Sequence, residues 1–137
     1  MNYAFLDASA IIYLLEGDPE VRQAAQIVLT SLKSSGGEPA IVISALSLLE
    51  CRVQPMRNGE KARLDLFDNF FADPGLSIVE LNRNVIKQAT QLRAQHGLRT
   101  PDALQAASAL ELHDNPTFVT GDSDFKKIKN LNVHQIQ

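Results

Sequence analysis

The sequence predicts an α/β protein: a three-layer sandwich with helices on both faces of a mostly parallel central sheet. Short apolar runs rich in β-branched residues alternate with amphipathic helical stretches throughout the chain, which is the pattern of parallel strands joined by helical crossovers. The crossovers are expected to be right-handed. A length of 137 residues with 45% hydrophobic composition suffices for one sizeable core. No repeat, low-complexity tract or linker interrupts the pattern, so a single domain is expected over residues 1–137.

The chain opens on "NYAFLD", a short run of β-formers from Asn2 to Asp7, followed by "SAIIYLLEGD", a short helix with Ser9 near its start. "DPEVRQAAQIVLTSLK" puts Val21, Ala24, Ala25, Val28 and Leu32 on one helical stripe, which "SSGGEP" stops. "AIVISALSLLECRV" begins as a buried strand; Ser44 then caps a helix that carries Leu46, Leu49 and Val53 inward and holds Glu50. Residues 59–72 repeat apolar positions at Leu64, Phe67, Phe70 and Phe71 as a partner helix, ended by Pro74-Gly75.

"LSIVEL" reads as a strand, and "NRNVIKQATQLRAQHG" as a helix stopped by Gly97. Thr100 is placed to cap the next helix, with Pro101 at its first position and Asp102 in its first turn. Strand "TFVT", turn "GDSDF", basic "KKIKN" and strand "VHQIQ" complete the chain. In such a fold, ligands bind beyond the carboxyl ends of the strands, at the crevice where strand order reverses. Asp7 and Asp122 both belong at that edge.

Composition narrows the function classes. No apolar run approaches the roughly 20 residues a membrane span needs, and the N-terminus has no signal-like pattern, so a cytoplasmic protein is expected. Cys51 has no second cysteine to pair with and no Cys/His set to hold zinc, and is expected as a core-facing thiol. His96, His113 and His134 are expected at helix ends or on the surface. The net charge of −3 argues against a general nucleic-acid coat, yet residues 1–50 carry two Lys/Arg against six Asp/Glu, and residues 51–137 eleven against ten.

Four acids stand in apolar or small-residue surroundings: Asp7, Glu50, Asp102 and Asp122. Asp102 in a first helical turn also suits the helix dipole, Asp122 an Asx-turn, and Asp7 a helix cap. Glu50 has no such local explanation. It lies among leucines, no Lys or Arg occupies a neighbouring helical position, and a buried unpaired carboxylate is costly. Were the four to converge, each pair about 4 Å apart would repel by about 4 kcal/mol at an effective dielectric near 20. A divalent cation relieves this repulsion, and an all-oxygen donor set favours Mg²⁺ or Mn²⁺ over zinc.

The segments "FLDASAII", "SALSLLECR", "TPDALQAASAL" and "VTGDSDF" resemble, in order and over nearly the whole chain, the four motifs of the PIN-domain nucleases. Free-standing bacterial members of this size are similar to the VapC toxins of toxin–antitoxin pairs. The resemblance implies a PIN-like fold and Mg²⁺- or Mn²⁺-dependent RNA cleavage, with Asp7, Glu50, Asp102 and Asp122 as the metal-binding catalytic acids. It maps Asp124 onto a frequently acidic fifth position and Thr120 onto the hydroxyl residue before the turn; Ala8 and Ser9 depart from the usual first-motif pattern. Implied partners are RNA, a small antitoxin that covers the acidic crevice, and a second copy in a homodimer, with Phe67, Phe70 and Phe71 as interface or core.

The expected chemistry is metal-assisted phosphodiester hydrolysis to a 5′-phosphate and a 3′-hydroxyl, with Arg52, Arg99, Lys126, Lys127 and Lys129 as candidate phosphate contacts. Gly121 is expected to permit the sharp turn into Asp122. A haloacid-dehalogenase-type phosphatase also places an Asp after the first strand. That chemistry needs a second Asp two residues on, where Ser9 stands. A non-catalytic PIN-like binding module is the other alternative.

Overall fold

A computed structural model describes residues 3–32 and 39–136. The ends of the first and last predicted strands at Asn2 and Gln137, and Lys33 with the helix stop through Glu38, lie outside the described residues. The elements run β1 (Tyr3–Leu6), α1 (Ala8–Glu16), α2 (Pro19–Ser31), β2 (Ala40–Ser44), α3 (Leu46–Arg57), α4 (Lys61–Phe71), β3 (Ser77–Val79), α5 (Arg83–His96), α6 (Thr100–Leu110), β4 (Thr117–Thr120), a 3-10 turn (Ser123–Lys127) and β5 (Asn132–Gln135). The strands form one sheet in the order β3-β2-β1-β4-β5, and every pairing is parallel. The predicted three-layer α/β/α architecture is present.

Alternation along each strand divides the core in two. Phe5, Val42 and Phe118 face α5 and α6, where Val85, Ala89, Leu92, Ala103, Ala106 and Ala107 cover them. Ala4, Leu6, Ile43 and Val119 face the other way, against Ile11, Ala25, Val28, Cys51 and Phe67. The same period of two carries Asp7, Ser44 and Thr120, each two residues beyond Phe5, Val42 and Phe118, onto the α6 side. The polar end of the sheet is therefore a continuation of its apolar face.

Three details secure this frame. Phe5 stacks on Phe118 with ring centroids 5.4 Å apart, and Phe118 meets the buried Phe125 at 4.6 Å, tying the 3-10 turn after Asp122 to the sheet. Arg63 of α4 grips Glu16 of α1 through two 2.7 Å hydrogen bonds. Gly97 ends α5 at φ 65°, a left-handed cap that glycine adopts without strain.

Local details differ from expectation at two places, in α3 and at Thr100, and the phenylalanines of α4 follow the core alternative. α3 turns Ser47, Cys51 and Pro55 inward, whereas Leu49 and Val53 are exposed. α3 packs against α1 and α6, and small side chains allow that close approach better than leucines do. Thr100 is the first residue of α6 rather than its cap; Arg99 precedes the helix, and the Thr100 hydroxyl accepts from Arg93 at 2.7 Å. Phe67 is fully buried and Phe70 and Phe71 are half-buried, so no phenylalanine of α4 is an exposed surface. The exposed large apolar residues are Ile27, Leu49, Val53, Met56, Leu66 and Ile86.

Ser44 does serve the start of α3, its hydroxyl accepting from the Leu46 N–H at 3.1 Å. Cys51 is buried as expected, and burial pushes its thiol up to about 12. Among the described residues no helix is long and apolar enough to cross a membrane. Phe67 closes the α1–α4 side of the core, so Phe67→Ala is expected to lower the free energy of unfolding by about 3–5 kcal/mol. Urea denaturation of the two proteins checks this.

Candidate active site

The chain leaves β1 at Asp7, whose backbone N–H still pairs with the Val119 carbonyl of β4 at 3.3 Å. Asp7 is 5% exposed, and a carboxylate so buried requires donors. Oδ1 accepts from the Ala10 N–H at 2.9 Å and from the Ser9 hydroxyl at 2.7 Å; Oδ2 accepts from the Thr120 hydroxyl at 2.6 Å. Asp7 thereby caps α1 as one of its predicted readings has it. Burial raises its pKa above the ordinary value, the three donors oppose the rise, and the charge of Asp102 adds to it.

Ser9 and Thr120 connect this carboxylate to the last motif. The Ser9 hydroxyl accepts from the Gly121 N–H at 2.9 Å, and the Thr120 hydroxyl accepts from the Asp122 N–H at 3.0 Å. Each hydroxyl thus donates to Asp7 and accepts from the loop after β4. Asp122 Oδ1 in turn receives the Asp124 N–H at 2.9 Å, the Asx-turn expected of it. Gly121 has a different basis from the one predicted: the ring of Tyr13 lies against it, and an added Cβ would sit 2.9 Å from Tyr13 Cζ and Oη. The Gly121 backbone has no positive φ, and a side chain there would require the Tyr13 ring to move.

Glu50 of α3 and Asp102 of α6 complete the group. Asp7, Glu50, Asp102 and Asp122 line one crevice, together with Ser9, Arg99, Gln105 and Phe125. Glu50 Oε1 accepts from Gln105 Nε2 at 2.9 Å, and burial raises the Glu50 pKa, with Asp7 and Asp102 adding to the rise while Gln105 and Arg99 oppose it. Asp102 meets Arg99 at 3.2 Å, where the carboxylate side chain is 15% exposed and the guanidinium 78%. That single rim cation leaves the crevice strongly acidic.

Every anionic donor here is a carboxylate oxygen, which fits a hard divalent ion. Among the described residues no three acidic, histidine or cysteine side chains converge closely enough to chelate an ion as they stand. Each carboxylate instead meets a donor of its own.

Several predicted residues lie apart from the crevice. Asp124 is exposed on the 3-10 turn, as are Lys126 and Lys127; Lys129 is exposed just beyond it. Arg52 is engaged between α3 and α4, donating to the Leu48 carbonyl at 2.8 Å and to Asp68 at 3.3 Å, with its guanidinium 5.8 Å from the Phe71 ring centre. Local sequence signals do not single out Gln105 or Ser47, and they mark Ser9 only as a residue near the start of α1. The signal the sequence carries for Gln105 is a glutamine three residues after Asp102, on the same face of an otherwise alanine-rich helix.

No curated protein sequence matches the chain. Solved structures do. A Rickettsia felis complex, VapBC2 bound to a DNA fragment from its promoter, matches with TM-score 0.74 and 19% identity over 100% of both chains. A toxin–antitoxin complex from Klebsiella pneumoniae matches with TM-score 0.68 and 20% identity over 98% of both chains. VapBC-5 of Mycobacterium tuberculosis, a member of the VapBC family of toxin–antitoxin systems, matches with TM-score 0.61 and 19% identity over 100% of this chain and 99% of that one. At such identities the likeness is one of fold. The family model for the PIN domain matches residues 4–131, nearly the whole chain and all four acids, and the chain belongs to the PIN domain family.

Proposed function

We propose that the protein is a divalent-metal-dependent endoribonuclease and the toxin of a toxin–antitoxin pair. The observation that carries this reading is the crevice itself: Asp7, Glu50, Asp102 and Asp122 come from four separate segments and line one depression beyond the carboxyl ends of β1 and β4. Strand order reverses between those two strands, which is where open α/β sheets bind their ligands. PIN family membership and the toxin–antitoxin complexes among the structural neighbours support the choice of chemistry and partner.

In this reading Asp7, Glu50, Asp102 and Asp122 hold Mg²⁺ or Mn²⁺, with Asp124 at the margin. The bound ion supplies a lowered pKa for the attacking water and stabilises charge at the leaving oxygen. The chain's own contribution is placement. Ala10 N–H, Ser9 and Thr120 fix Asp7 in one orientation without neutralising it. Arg99, at the rim and largely exposed, is free to exchange Asp102 for a phosphate oxygen, and the exposed Lys126 and Lys127 of the 3-10 turn are further candidate phosphate contacts. Arg52 is a poorer phosphate contact, because Leu48 and Asp68 already engage it.

The partner expected over the acidic crevice is a small antitoxin. For a homodimer, the α3 stripe of Leu49, Val53 and Met56 is a better surface than the phenylalanines of α4, because it is the exposed one.

Incubating wild-type protein and Asp7→Asn with structured RNAs and with DNA of matching sequence, in Mg²⁺, Mn²⁺ or EDTA, tests the activity. RNA cleavage that needs metal and falls by about 100-fold or more in Asp7→Asn is expected. Binding of RNA without cleavage in any metal would make the chain a non-catalytic module. In metal-free buffer, Asp102→Asn is expected to leave the melting temperature unchanged or raise it, because one of several repelling charges is gone and an exposed ion pair contributes little. With Mg²⁺ added, the rise in melting temperature should be smaller than in wild type. A large metal-free loss would show Asp102 to be a structural acid of α6.

A further inference from the structure

Gln105 is 2% exposed, in a helix whose neighbouring Ala103, Ala106, Ala107 and Ala109 are fully buried. Packing alone favours an apolar side chain at such a position. Both N–H groups of its amide are used: Nε2 donates to Ser47 Oγ at 3.0 Å and to Glu50 Oε1 at 2.9 Å. Its Oε1 is the only buried side-chain nitrogen or oxygen among the described residues with no hydrogen-bond partner. The reverse amide orientation would set that oxygen against the Glu50 carboxylate, acceptor against acceptor, so Glu50 determines which way the amide lies.

An unpaired buried carbonyl opposes folding, while the two N–H groups of the same amide satisfy the buried Ser47 hydroxyl and Glu50. The gain is at Glu50. We infer that Gln105 is a positioning residue for metal binding: it orients Glu50 toward Asp7 and Asp102 through a neutral donor, leaving the charge of the carboxylate available to a cation. A lysine or arginine in its place would orient Glu50 equally well and neutralise it, competing with the metal. Ser47, on the same inward stripe of α3 one turn before Glu50, holds the other branch of the fork.

This role rests on the metal-dependent reading above, and metal affinity tests it separately from nuclease activity. Mn²⁺ binding is measured by calorimetry, and stability by urea denaturation, for wild type, Gln105→Met, Gln105→Asn, Glu50→Gln and Glu50→Gln/Gln105→Met. Gln105→Met, which keeps the volume and removes the donors, is expected to unfold at a somewhat lower urea concentration, because Ser47 and Glu50 lose their donor, and, while still folded, to bind Mn²⁺ about tenfold or more weakly. Gln105→Asn, which withdraws the amide by one methylene, should show the same loss of affinity. In the Glu50→Gln background, Gln105→Met should change affinity no further, because the residue acts through Glu50. Where RNA cleavage is measurable, kcat should fall with KM unchanged.

Wild-type Mn²⁺ affinity in Gln105→Met or Gln105→Asn overturns the inference, as does an equal loss in the Glu50→Gln background. A protein that binds Mn²⁺ but cuts no RNA ends the nuclease reading while the affinity comparison still decides the role of Gln105. A wild type that binds no Mn²⁺ ends both.

Discussion

Holding the Asp7 carboxylate out of water at the junction of β1 and β4 is the constraint around which the polar half of this molecule is organised. A buried carboxylate without donors would protonate or destabilise the fold, and the donors it receives come from both sides of the junction. Ala10 and Ser9 belong to the helix that follows β1; Thr120 ends β4. Because Ser9 and Thr120 also accept from the loop after β4, satisfying Asp7 positions Asp122 at the same time. The parallel pairing of Phe5 with Phe118 sets the register that brings these groups level.

Charge is distributed across the crevice in a consistent way. Asp7, Glu50 and Asp122 are met by hydroxyls, an amide and backbone N–H groups, while the one cation, Arg99, stands at the rim with most of its guanidinium in solvent. Neutral donors restrict the orientation of a carboxylate while keeping its field, whereas a buried cation would cancel it. The interior therefore remains an acidic depression in which burial and mutual repulsion both act against ionisation of Asp7 and Glu50.

Much of this was legible in the linear order. The β-branched runs, the stop at Gly97 and the embedded acids each reflect a local rule, and the observed elements follow them. The failures are equally physical. Leu49 and Val53 form a plausible inward stripe by periodicity alone, but α3 meets α1 and α6 closely enough that Ser47, Cys51 and Pro55 fill that side. Gly121 suits a turn by local rules, whereas in the fold it lies under the ring of Tyr13, more than a hundred residues earlier, which would have to move to admit a Cβ. Gln105 is inconspicuous in the linear order, because an amide among alanines is an ordinary helical residue, and only the fold brings its donors to Ser47 and Glu50.

By itself the sequence determined the element types, the parallel architecture that follows from alternating strands and helices, and the four segments from which the acids come. These depend on periodicities of two and about 3.6 residues and on turn chemistry, all of which are local along the chain. Only the tertiary structure decided which helix face is inward, which donors hold each carboxylate, and that four acids share a crevice without converging on a ready-made chelate. Those outcomes depend on contacts between residues up to 113 positions apart, as in the Thr120 to Asp7 hydrogen bond, and no local rule encodes the distance or orientation across such a separation.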